Sequence, residues 1–298
     1  MSALSSGFSI ILSGGADFNL GEVIAHHLSD TPLWNLQAWG IDISITKRVV
    51  MMWIASFFLL AIFLPVARSL ATDPYKRPSR FKAFLESLIE FIRKDVSEAS
   101  LGHHHKSYDG FLLTVFFFIL ISNLLGLIPP LGEIAQLVAV HTNLIHGASH
   151  HEIPLLVKLW PGITATGDIA VTATLAVISF LVILFSGFVY QGVGFIKNIV
   201  PRGIPAPLWI IMWPIEFIGQ FTKPFALAIR LLANMTAGHL IILVFMSFIF
   251  QFQSYAVAPA SVLGSVAIYM LEIFVSFLQA YIFTFLTALF ISGAQHRH

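Results

Sequence analysis

The sequence has no cysteine among its 298 residues. That excludes disulfides, zinc–thiolate sites and thiol catalysis, and leaves histidine, carboxylate and hydroxyl chemistry, with the redox compartment open. Charge is scarce as well. Asp, Glu, Lys and Arg make up 10% of the chain, and 16 basic against 15 acidic side chains leave a net charge of +1. The basic residues form no phosphate-tracking patch, so nucleic acid is not an expected partner. No low-complexity tract, heptad run, internal repeat or pair of matching halves is evident. The first 48 residues also lack a basic start with a long apolar core, because "FSIILSG" is short and is followed by Asp17 and Glu22. Residues 1–48 are therefore expected to be a mature extramembrane arm, not a cleaved signal.

What is present is apolar. Hydrophobic residues are 57% of the chain and the mean hydropathy is +0.85, too high for a soluble fold of this size. The expectation is an all-α polytopic membrane protein in which residues 49–298 form a single helical membrane domain. Segments 49–70, 111–130 and 168–190 each approach the roughly 20 residues that a spanning helix needs. Two longer segments follow, 206–250 and 256–294, which brings the total to about five membrane-embedded helices. At 1.5 Å per residue, a continuous 45-residue helix would extend about 67 Å against a hydrocarbon core of roughly 30 Å, so it must tilt steeply or break. Pro214, Gly219 and Pro224 are the expected places for a bend.

Between the first two spans, Phe81, Phe84, Leu85, Leu88, Ile89 and Ile92 recur at helical spacing among charges, which predicts an amphipathic surface helix over 79–100. Arg68, Lys76, Arg77, Arg80, Lys82, Arg93, Lys94 and Lys106 cluster in 68–106, whereas 131–167 carries only Lys158. The positive-inside rule puts the basic stretch in the cytoplasm, the N-terminus outside and, with one crossing each for the last two segments, the C-terminus inside.

The segment 221–248, "FTKPFALAIRLLANMTAGHLIILVFMSF", is long enough to span yet carries Lys223, Arg230, Asn234 and His239. An arginine near the bilayer centre costs about 2.5–3.5 kcal/mol on insertion scales, and such residues mark pathways or partners. At 100° per residue, Lys223, Arg230 and Asn234 share a stripe with the small residues Ala226, Ala233 and Ala237. Small residues allow close helix contact, so Arg230 is expected to face protein. His239 lies about 180° round from it. On the last helix Glu272, Ser276 and Gln279 share a face. Antiparallel packing of the two long helices sets Arg230 level with Gln279 and His239 level with Glu272. Histidine and glutamate can exchange protons near neutral pH, whereas arginine stays protonated. A carboxylate 4 Å from Arg230 would gain about 4 kcal/mol at an effective dielectric of 20, roughly a thousandfold in its ionisation. This chain has no carboxylate level with Arg230, so the acid is expected on another subunit.

Simpler roles exist for each group. An intramembrane His or Gln can merely satisfy a neighbouring helix, Lys223 can snorkel to the interface, and Asp168 stands where a helix N-cap is expected. The histidine runs at 103–105 and 146–151 read as solvated loops more readily than as metal sites, and "HEIPL" lacks the second histidine of HExxH.

The segment "KPFALAIRLLANMTAGHLI" resembles the central signature of the a subunit of F-type ATP synthases. "SNLLGLIPP" at 122–130, "TGDIAVTATLA" at 166–176 and "EIFVSFLQAYIFTFLTALFIS" at 272–292 extend the likeness over about residues 49–294. The resemblance implies a proton-translocating stator subunit, not itself an enzyme, with no cofactor or metal. It implies two offset half-channels to a rotating ring of c subunits, with Arg230 as the essential arginine between them and Gln279 packed beside it. His239 and Glu272 would belong to the outer half-channel, Glu216 to the cytoplasmic exit, and Asn123, Asp168 and Asn234 to the polar lining. The implied partners are the c ring, peripheral-stalk b subunits, other ATP synthase subunits and membrane lipid; the implied location is a bacterial inner membrane. The long segment 206–294 would be a strongly tilted helical hairpin. Many bacterial members carry an acid at the position of His239 and a histidine at that of Glu272, so the pair looks exchanged here, and Gly126 replaces an acid found in some members. Two other classes remain to be distinguished: a stand-alone secondary transporter binding an anionic solute at Arg230, and an intramembrane metalloenzyme using the histidine runs.

Overall fold

The computed structural model describes residues 32–34, 37–38, 41–42, 45–72, 79–128, 164–192, 194–197, 206–252 and 257–295. Residues 1–31 and 129–163, including the histidine run at 146–151, lie outside the described residues. Long helices dominate. α1 is Lys47–Thr72, α2 is Arg80–Phe91, α3 is His105–Leu127, α4 is Ile169–Gln191, α5 is Ala206–Phe252 and α6 is Val257–Gln295. Among the described residues, five helical stretches are long and apolar enough to cross a membrane, the second of them running Arg80–Leu127. The fold is the all-α polytopic one expected from the hydropathy pattern. In addition, the arm contributes short antiparallel pairings: Pro32–Trp34 with Ile45–Thr46, and Gln37–Ala38 with Ile41–Asp42.

The helices are built for lipid. On α4 the buried positions are Thr172, Ala176, Ser179, Ile183, Ser186, Gly187 and Gln191, while Ile169, Val177, Leu181, Phe185 and Val189 are exposed. Small and hydroxyl side chains at three- and four-residue spacing face inward and large apolar ones outward, the reverse of a water-soluble helix. α1 follows suit, with Ala55 buried and Trp53, Phe57 and Leu60 exposed. α3 stops at Leu127 because Ile128 precedes Pro129, and the residue before a proline is driven out of the helical region. α4 ends at Gly192, whose φ of 60° suits glycine and whose N–H reaches Phe188 O. α5 runs without interruption through Pro214 and Pro224, so the long segment is one helix and not two.

The chain divides into two compact units, with α1, α3, α5 and α6 contributing to both. One unit comprises Ala55–Ile121, Asp168–Leu232 and Phe277–His298. Its core is Ile92, Leu112, Phe116, Ile119, Leu227, Leu231, Phe283 and Ile291. Two polar groups converge on one hydroxyl in this core: Tyr108 and Gln295 both donate to Ser186 Oγ, at 2.9 and 3.0 Å. The predicted surface helix begins at the Ser79 N-cap and turns Leu85 and Ile92 inward, whereas Phe81 and Phe84 stay exposed. After Phe91 the helix widens into a π-turn, Ile92–Glu98. The widening brings both Val96 and Ser97 inward, and Ser97 donates to buried Asp109, which also meets Arg93 Nε at 3.2 Å.

The other unit comprises Met1–Ile54, Ser122–Gly167 and Ala233–Ser276. It holds the end of α3, the turn Ala165–Gly167, the second part of α5 and the first part of α6.

Candidate functional site

The unit that contains Ser122–Gly167 is organised around the C-terminal end of α3, where the last carbonyls have no partner within the helix. Tyr269 on α6 donates to Leu127 O at 3.1 Å. His239 on α5 places Nε2 3.3 Å from Gly126 O. The turn at 164–167 lies so close to α3 that a Cβ on Gly126 would overlap Thr164, backbone included. An acid here would require that turn to move. Thr166 donates to Asn123 Oδ1 at 2.7 Å, which turns the Asn123 amide nitrogen toward Ser276 O, 3.3 Å away. Asn123 is 0% exposed and is held from both sides.

His239 and Glu272 meet, as the antiparallel register predicts. The ring Nδ1 is 3.5 Å from Glu272 Oε1 and 2.9 Å from Met235 O. Both ring nitrogens therefore face oxygen. A neutral imidazole carries one N–H and can serve one of these acceptors, whereas the protonated ring can serve both. Glu272 is 5% exposed. Among the described residues its carboxylate oxygens have no hydrogen-bond partner, and the contact with His239 is an ion-pair distance, not a good hydrogen bond. The carboxylate packs on Gly238, where a Cβ would overlap it. Gly238→Ala is therefore expected to cost about 1–3 kcal/mol through overpacking. Thermal unfolding in detergent checks this, and an unchanged midpoint would contradict the close approach.

Asn234 belongs to the same unit and is exposed, as are Ala233 and Ala237. In the other unit Arg230 and Ala226 are exposed, while Leu227 and Leu231 beside them are buried. The small, polar face of α5 that the sequence predicts is thus uncovered in both units, each described by itself. Among the described residues no carboxylate comes within ion-pair distance of Arg230. Gln279 is 2% exposed. Glu216 is half-buried, with its carboxylate toward Gly219 on its own helix. Lys223 lies over the Phe290 ring, 5.3 Å from its centroid, and near Gln220, which gives it a packing role. Asp168 is the N-cap of α4, accepting from Ala170 N at 2.9 Å.

Four participants escaped the sequence reading: Tyr269, Thr166, Gly238 and the Gly126 carbonyl. A tyrosine three residues before Glu272 and a threonine two before Asp168 were visible signals. The backbone partners were not. Among the described residues no three His, Cys, Asp or Glu side chains are grouped to hold a metal ion.

Comparison with known proteins places these residues in context. The profile of the ATP synthase A chain family matches residues 49–292. The ATP synthase subunit a of Chloroherpeton thalassium is 43% identical over 265 residues, covering 87% of this chain and 69% of the relative. The ATP synthase subunit a 2 of Chlorobaculum tepidum is 43% identical over 288 residues, covering 92% and 73%. The ATP synthase subunit a of Anaeromyxobacter dehalogenans is 34% identical over 313 residues, covering 96% and 73%.

Proposed function

Because this chain belongs to the ATP synthase A chain family, we propose that Arg230 separates two proton half-channels that open onto a rotating ring of carboxylate-bearing c subunits. The coarser role comes with membership: a multi-pass membrane component of ATP synthase, taking part in proton transport in association with other subunits of the complex. The finer reading assigns a role to each residue. His239 and Glu272 take up protons on the outer side and pass them to a ring carboxylate. Asn123, Asn234 and Asp168 line the polar route, and Gln279 packs near Arg230. After rotation the ring acid meets Arg230 and ionises, and its proton leaves past Glu216 on the cytoplasmic side. Peripheral-stalk b subunits hold the chain still while the ring turns.

The observation that carries this reading is Arg230 itself: a permanent cation on an exposed face of a membrane helix, beside small Ala226, with no carboxylate of the described chain at ion-pair distance. Such a charge calls for an acid on another molecule. The small neighbours permit that molecule's backbone to come close.

Absence of native cysteine makes the test simple. Ala226→Cys, Ala233→Cys and Ala237→Cys in the assembled complex are expected to form oxidative cross-links to cysteines placed on the acid-bearing helix of the ring subunit. Buried Ala228→Cys is expected to form none. Cross-linking from exposed Leu263→Cys on α6, with none from the α5 positions, would place the ring on another face and end the proposal. Anionic solute uptake by the purified chain alone would favour the transporter reading.

A further inference from the structure

Glu272 meets His239 without being held there by hydrogen bonds of its own: both carboxylate oxygens lack such a partner among the described residues. Its place is therefore set by the helix that carries it. Two hydrogen bonds tie α6 to the end of α3, one on each side of Glu272. Three residues before it, Tyr269 donates to Leu127 O at 3.1 Å. Four residues after it, Ser276 O accepts from the Asn123 amide at 3.3 Å, and Asn123 is itself fixed by Thr166. Residues three and four apart lie on one helix face, so both ties grip the face that carries Glu272. Together they stop α6 from sliding or rolling against α3; either alone leaves a pivot.

The same end of α3 holds the other half of the pair. His239 Nε2 lies 3.3 Å from Gly126 O, the carbonyl next to the one that Tyr269 takes. Both are free for this because the last carbonyls of a helix have no partner within it. Adjacent carbonyls thus serve α5 and α6, and the 3.5 Å separation of His239 Nδ1 from Glu272 Oε1 follows from where the two helices are held.

We propose that Tyr269 is a positioning residue for proton transfer: its hydroxyl, anchored on Leu127 O, holds α6 so that Glu272 stands within reach of His239. Tyr269 passes no proton itself. Its role rests on the reading of His239 and Glu272 as proton carriers, and it lies outside the site that the family resemblance implies. The Asn123 tie remains when the phenol is lost, so α6 stays attached and gains a pivot beside Glu272.

The test is Tyr269→Phe, which keeps the ring and removes only the hydroxyl, in the complete complex with Glu272→Ala alongside. Two quantities are measured: the structure of the assembled variant complex, and ATP-driven proton pumping per assembled complex in vesicles across a pH series. In the variant structure His239 is expected to stay on Gly126 O while its separation from Glu272 opens beyond about 4 Å, the limit of an ion-pair contact. Pumping is expected to fall about two- to tenfold, the range that one hydrogen bond spans in an equilibrium. The factor should change with pH, because the contact joins two titratable groups, whereas a packing defect would lower every point alike. An unchanged His239–Glu272 contact would overturn the proposal whatever the pumping rate, and so would an equal loss at every pH. If Glu272→Ala lowers pumping at least tenfold while Tyr269→Phe pumps at the native rate, the positioning role is overturned and the wider reading stands. If Glu272→Ala itself pumps normally, the wider reading fails first.

Discussion

Arg230→Ala is expected to reduce ATP-driven proton pumping in reconstituted vesicles by about a thousandfold, to the background of the assay, while leaving assembly of the complex intact. The size follows from Coulomb's law. A guanidinium 4 Å from a carboxylate at an effective dielectric of 20 stabilises the ionised acid by about 4 kcal/mol, and each 1.36 kcal/mol is tenfold in the equilibrium. Without that charge, a ring acid has no reason to release its proton where the exit lies. The intact assembly follows from exposure: Arg230 is exposed on α5 and the core residues beside it are Leu227 and Leu231. Substitutions away from buried networks usually change stability by less than about 0.5 kcal/mol. Arg230→Lys is expected to recover only part of the loss, because an ammonium lacks the planar fork that holds a carboxylate at two points. Pumping at the native rate by Arg230→Ala would remove the electrostatic gate from the account.

The second large effect concerns the pair. His239→Ala and Glu272→Ala are each expected to lower pumping by at least tenfold, because proton transfer by a positioned side chain contributes about 10²–10⁴ in rate. Exchanging the two, His239→Glu with Glu272→His, is expected to retain more transport than either alanine variant. It should still fall short of native. The imidazole at 239 faces the Gly126 carbonyl at the end of α3, and a carboxylate there would set acceptor against acceptor unless protonated. The imidazole brought to position 272 must also fit against Gly238. Equal loss in all three variants would argue against a paired role. Adding the double variant His239→Ala with Glu272→Ala closes a double-mutant cycle, the appropriate design for residues in contact.

The membrane helices were legible from hydropathy because lipid imposes one rule throughout: about 20 apolar residues, with backbone hydrogen bonds closed within the segment. Predicted and observed ends agree within six residues, the largest difference being at the start of α3, predicted at 111 and observed at His105. There the amphipathic pattern of the surface helix ran almost into the span and hid the boundary. The meeting of His239 and Glu272 was also legible, since an antiparallel register with a short connection fixes which residues are level. Other features depend on close approach of backbone to backbone or side chain. The Gly126 and Leu127 carbonyls become partners for His239 and Tyr269 only because α3 ends beside α5 and α6. Glycine at 126 and 238 is a steric necessity that hydropathy does not register. The π-turn at Ile92–Glu98 escaped for a similar reason: its extra width serves Asp109, which is twelve residues from Ser97 in sequence.

Arg230 is on an uncovered face, whereas His239 is half-buried and turned toward Glu272 and the end of α3.

The most direct measurement of the central claim is the structure of the assembled membrane sector, resolved well enough to place side chains around Arg230. The account predicts a carboxylate of the ring subunit within roughly 6 Å of the Arg230 guanidinium, the range over which an opposite charge governs ionisation. An Arg230 that faces only lipid, or that pairs with an acid of its own chain, would contradict it.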